Sequence, residues 1–155
     1  MATNKVGRAS VGLLTDVDTA ARNVVGTSYY DDAGNEFIYL QGVASTVIGS
    51  VVTFGLNAVP YQSALSVTTV RGPVAIAMGA ILATQFGWYQ IYGLASALFN
   101  GSAVTGAMCF SASTGKMDDA VVTGDRIDNC TVAATVTGAV LGTVFLNYPS
   151  MNNGG

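Results

Sequence analysis

Two apolar runs bracketed by glycine or proline constrain this chain more than anything else in it. They are Gly72-Pro73-Val74-Ala75-Ile76-Ala77-Met78-Gly79 and, a short connection later, Gln85-Phe86-Gly87-Trp88-Tyr89-Gln90-Ile91-Tyr92-Gly93. β-Branched and aromatic residues between turn formers read as strands. In the second run Trp88, Gln90 and Tyr92 project to one side and Tyr89 and Ile91 to the other, because strand side chains alternate faces. Both faces are therefore largely apolar, which places the strand inside a barrel, a sandwich or an oligomer interface and not in a sheet with one wet face. Val74, Ile76, Met78, Phe86, Trp88 and Ile91 are the candidate core.

Other strand signals surround this pair. Thr27-Ser28-Tyr29-Tyr30 and Glu36-Phe37-Ile38-Tyr39-Leu40 flank the polar loop Asp31-Asp32-Ala33-Gly34-Asn35, the pattern of a hairpin with a five-residue connection. Asp31 and Asp32 read as turn residues whose carboxylates bond nearby amides. Val51 to Phe54, Ala64 to Val70, Ala107 to Ala112, Ala120 to Val122, and a final pair about Gly138 complete eight to ten short strands, the spacing of an all-β barrel or sandwich. Ahead of them, Thr15 to Arg22 offers either a short helix capped by Thr15 or an irregular stretch. The division is an extended N-terminal arm over 1–26, a β domain over 27–151, and a frayed tail over 152–155.

The totals limit what such a domain can do. At 155 residues, roughly 70% of the unfolded surface can be buried without disulfide or metal. Only 10% of residues are charged, against about 25% in ordinary globular proteins, so a lone chain would expose much neutral and apolar surface, and copies of itself or a partner are expected to cover it. The six cations are scattered and the net charge is -3, which argues against nucleic acid. Histidine is absent, removing the commonest general base and metal ligand. No run reaches the length of a membrane helix, and residues 1–5 lack a signal peptide's apolar segment, so synthesis in a cytoplasm is expected. No cofactor motif is present.

Three clusters remain open to chemistry. Asp118, Asp119, Asp125 and Asp128 read as loop-solvating carboxylates, with Asp125 paired to Arg126 or to a turn amide. The same four are the one local set able to ligate a hard cation or to serve a carboxylate-based hydrolase. Phe86, Trp88, Tyr89 and Tyr92 are core or, alternatively, a sugar-stacking platform. Cys109 and Cys130, outside any CxxC spacing, read as buried reduced thiols, with a cross-strand disulfide as the alternative.

The segments Phe37-Ile38-Tyr39-Leu40-Gln41-Gly42-Val43-Ala44-Ser45, Gly49 to Thr53, Gly72 to Ala77, Phe86 to Gly93 and Gly124-Asp125-Arg126 together resemble the small structural proteins encoded beside the major capsid protein in tailed bacteriophages, which are similar to head decoration (capsid cement) proteins. The resemblance implies a β-barrel or β-tulip-like domain, assembled as a homotrimer on the outer capsid surface of the virion. It implies the major capsid protein as partner, no catalytic residues and no cofactor. On that expectation Val6, Arg8, Val11, Leu13 and Leu14 of the arm, and Tyr29, Tyr30 and Tyr39 of the hairpin, are the candidate capsid or intersubunit contacts. A carbohydrate-binding or tail-associated module is the alternative, followed by the hydrolase.

Overall fold

The computed structural model describes residues 11–55, 63–66 and 71–151. Among these, eleven strands and no helix are present: β1 (Val17–Asp18), β2 (Ser28–Tyr30), β3 (Glu36–Gln41), β4 (Val51–Phe54), β5 (Ser63–Leu65), β6 (Gly72–Ala77), β7 (Phe86–Leu98), β8 (Met108–Ser111), β9 (Met117–Asp118), β10 (Arg126–Val132) and β11 (Leu141–Met151). Every strand pairing is antiparallel, in the order β2-β3-β7-β6-β11-β10-β8-β9, with β1 added to β7 and β4 and β5 reached through β6. The protein is thus an all-β domain. Its sheet branches at β7 and folds over itself as a sandwich; it does not close into the barrel that was the other reading.

Three apolar layers explain why the central runs are hydrophobic on both faces. Val74 and Ile76 of β6 face a core shared with Ala95, Ala97, Cys109, Ile127, Cys130, Val144 and Leu146. Ala75 and Ala77, on the reverse of the same strand, join Ile38, Leu40, Val52, Tyr89 and Ile91. Phe37, Tyr39 and Trp88 form a third layer beyond β3, on which Val11, Leu14, Tyr29, Met78 and Phe86 pack in part. Alternating strand residues are sorted between layers, so the candidate core is buried at Val74, Ile76, Trp88 and Ile91 and half-buried at Met78 and Phe86.

One residue reverses the sorting along β7. Tyr89 and Ile91 face the second layer, whereas Ala95 and Ala97, of the same parity, face the first. Between them Gly93 takes φ +95°, and the buried Gln90 amide donates to the carbonyls of Tyr92 (3.0 Å) and Leu94 (2.9 Å). A backbone turned at glycine, with its freed carbonyls met by a side chain, lets one strand serve two layers. Before this point β7 pairs with β3 and β6, and from Tyr92 onward with β11.

Several local expectations change. No helix forms over Thr15–Arg22; Val17–Asp18 pair with Phe86–Gly87, and Asp18 is held by Arg22 (2.6 Å) and by the Tyr39 hydroxyl (2.6 Å). Ala120–Val122 is an exposed loop and not a strand, since among the described residues no strand pairs with Val121 or Val122 and β9 ends at Asp118. β10 begins earlier than the pair about Gly138 suggests, and β11 continues through Tyr148 and Pro149 to a buried Met151. The hairpin forms as read: Asp31 Oδ1 accepts the amides of Ala33 (3.0 Å) and Asn35 (2.8 Å), closing the loop between β2 and β3.

Candidate functional site

The outer face of β2, β3, β7 and β11 carries an aromatic row that no single stretch of sequence contains. Tyr30 lies opposite Glu36, and Glu36 opposite Tyr92. Directly paired residues share a face, so the three form one line across the sheet. β11 completes it: Phe145 pairs with Leu94, and its ring meets Tyr92 edge-on with centroids 5.9 Å apart. The Tyr148 ring lies 5.3 Å from that of Tyr92. Leu94 (60% exposed), Tyr30, Tyr148 and Phe145 all reach solvent. An open groove of about 420 Å³ runs beside them, lined by Asn35, Tyr92, Gly93, Leu94 and Phe145.

Glu36 organises the row from below. It is 5% exposed, and Tyr148 donates its hydroxyl to Glu36 Oε2 at 2.6 Å. The Tyr30 hydroxyl reaches the same carboxylate. Bonding to Glu36 is the largest cause that raises the phenol pKa of both Tyr30 and Tyr148, because each neutral hydroxyl donates to the carboxylate and would lose that bond on ionising. Tyr148 also holds φ +50°, a conformation that costs a non-glycine residue about 1–3 kcal/mol. The hydroxyl bond and the ring contact with Tyr92 offset that cost, and together they fix an exposed aromatic side chain in one orientation. Chemically the row is a rigid, neutral, amphipathic surface: phenol edges for hydrogen bonding, and ring faces and Leu94 for apolar contact.

A second apolar surface lies under the 121–124 loop. Met108, Phe110, Val121, Val122 and the stem of Arg126 line a hollow of about 210 Å³, with Val121 80% exposed.

The residues singled out from sequence are divided by the structure. Tyr30 stands in the row. Tyr39 does not: it is wholly buried, with its ring 5.1 Å from that of Trp88, and is corrected from contact residue to core. Val11, Leu14 and Tyr29 pack on the third layer of their own domain, Leu13 is exposed, and Val6 and Arg8 lie outside the described residues. Of the proposed sugar platform, Trp88 and Tyr89 are buried and Phe86 is half-buried against Tyr39, leaving Tyr92 alone at the surface row. The acidic set disperses: Asp119 accepts the Val104 amide at 2.9 Å, Asp118 accepts the Ala120 amide at 3.1 Å, Arg126 pairs with Asp128 at 2.7 Å, and Asp125 is buried. Burial raises the Asp118 pKa. Among the described residues no three acidic or cysteine side chains converge as a metal site, and no helix is long and apolar enough to cross a membrane. Glu36, Phe145 and Tyr148 were missed as site residues.

Fold and site together define an antiparallel β-sandwich that carries a preorganised aromatic face. A scan against protein-family models and a search of curated proteins both return no match.

Proposed function

We propose that this chain is a structural virion protein, a capsid decoration or cement protein that binds the outer surface of a phage head as a homotrimer and stabilises the shell. The observation that carries the proposal is the surface: sixteen large apolar side chains stand exposed among the described residues of a chain with only 10% charged residues. Contiguous groups of this kind mark contact surfaces, and two are contiguous here: Leu94, Phe145 and Tyr148 about Tyr92 in the row, and Met108, Val121 and Val122 about the hollow. Copies of a chain with net charge -3 repel across a charged face, whereas the aromatic row is neutral apart from Glu36, which is buried beneath it. A three-fold ring joins two different faces of the chain, and the row and the hollow under Val121 are the two assigned here. The segmental resemblance to decoration proteins supplies the major capsid protein as the further partner, reached through the arm before Val11. Binding the assembled shell and not its unfolded subunits would stabilise it by mass action.

Light scattering after size exclusion at low micromolar concentration, followed by co-sedimentation with expanded heads lacking the protein, tests the reading. A mass near three chains with saturable head binding supports it. A clean monomer that stays in the supernatant refutes it.

A further inference from the structure

We propose that Cys109 and Cys130 are the two halves of a latent intrachain disulfide, closed by a small oxidant of the peroxide class and stapling β8 to β10. The pairing of these strands carries the inference. Phe110 and Cys109 lie opposite Arg126 and Ile127, and the next pair is Met108 with Thr131. Counted back from that second pair, Cys130 falls opposite Cys109. The extra residues of β10 form a bulge in which Asn129 takes φ +59°, and Ile127 before it and Cys130 after it both face the layer that holds Cys109. Both side chains point into the same buried layer, at 0% and 3% exposure. Both are free. Two cysteines that face one buried layer from paired strands are placed as a cross-strand disulfide needs.

Their surroundings also set when the bond forms. The Cys109 contact and burial raise the Cys130 pKa well above that of an ordinary thiol, so the closed protein holds the pair as inert thiols. β8 has only the two-residue β9 beyond it at the sheet edge, and local opening of such an edge strand requires less free energy than global unfolding. In the open form one thiol loses its proton. The thiolate attacks a peroxide oxygen and the O–O bond breaks, leaving a sulfenic acid and, after proton uptake, one water. On reclosure the neighbouring thiol attacks the sulfenic sulfur; the S–S bond forms, the S–O bond breaks, and a second water leaves. Two thiols are oxidised and one peroxide is reduced to two waters.

The full chain is treated with hydrogen peroxide while folded, then alkylated in denaturant and digested with trypsin. Lys116 and Arg126 lie between the two cysteines, so the bond shows as two tryptic peptides joined until a reductant is added. The expected result is loss of both titratable thiols, the joined peptide pair, and a thermal midpoint raised by about 5–10 °C, the size expected from closing a loop of this length. Cys109→Ala and Cys130→Ala each remove the joined pair; should either fold poorly, the wild-type peptide map decides alone. Retention of both thiols at a peroxide dose that consumes them in the unfolded chain overturns the proposal. So does their recovery as separate sulfinic acids, or as a bond between chains. An unchanged midpoint in the joined protein overturns the stapling role.

Discussion

Replacing Gly93 with alanine tests the way one strand serves two cores. Gly93 sits at φ +95°, where a Cβ costs about 1–3 kcal/mol. The new methyl would also overlap Asn35 Oδ1. Asn35 can yield only by giving up the bond from its Nδ2 to Asp31 Oδ2, now 2.8 Å, a further loss of about 1 kcal/mol. Gly93→Ala should therefore destabilise the domain by about 2–4 kcal/mol, lowering the thermal midpoint by about 5–15 °C for a chain of this size. Urea unfolding followed by tryptophan fluorescence reads the change directly, since Trp88 is the one tryptophan and is buried; protein concentration is held fixed because self-association would itself shift the midpoint. The double variant Asn35→Ala/Gly93→Ala removes the overlap and leaves the backbone cost, so the two substitutions should couple by about 1 kcal/mol. A Gly93→Ala protein within about 0.5 kcal/mol of wild type would refute the argument, because β7 would then tolerate an ordinary residue at its reversal.

Three further outcomes are expected. Asp31→Ala should cost about 1–2 kcal/mol through the amide bonds lost from the hairpin loop; because bonding from Asn35 lowers the Asp31 pKa below its ordinary 3.8, the wild-type advantage is present above that value and fades as pH falls through the lower folded one, as acid titration of both proteins by urea melts will check. Burial and the bond to Asp18 push the Tyr39 pKa up to about 12 from 10.0, so its share of stability is complete below pH 10 and lost as pH rises toward 12; the stability gap between wild type and Tyr39→Phe should narrow over that window in matched denaturant melts. Leu94→Asp and Val121→Asp, at exposed positions on the two proposed contact faces, should each reduce the mass measured by light scattering from three chains toward one while leaving the far-ultraviolet spectrum unchanged, since each places a charge in an apolar contact without disturbing a buried side chain.

Where local pattern and tertiary demand coincide, the sequence was readable. The hairpin from Ser28 to Gln41, the strand from Val51 and the two central runs were legible because turn chemistry at Asp31 and Gly34, or glycine and proline brackets, coincide with β-branched and aromatic residues. The two-faced burial of Trp88, Tyr89 and Ile91 followed from strand alternation alone. β10 was obscured because polar Arg126, Asp128 and Asn129 are interleaved with Ile127 and Cys130 about a bulge, and a cluster of acids reads as loop although the strand lies between β11 and β8. Val121 and Val122 misled in the opposite sense: β-branched residues were placed by propensity in a strand, but no partner strand among the described residues reaches them. The aromatic row was not legible, since Tyr30, Glu36, Tyr92 and Tyr148 come from four strands and only the sheet order brings them together.

The place of β11 in that order has a consequence for synthesis. β11 pairs with β6, β7 and β10 and supplies Val144, Leu146 and Met151 to the first core. As the chain emerges from the ribosome, the β2–β3 hairpin can join β7 and the second layer can assemble, but the outer half of β7 stays an open edge until residue 151 has cleared. Ala95, Ala97 and Phe99 are uncovered for that interval, and unpaired apolar strand edges are where nascent chains associate wrongly. Slowing translation while β7 is outside the ribosome and β11 is still inside it should therefore lower the yield of folded protein, whereas the same delay before β7 has emerged should leave it unchanged.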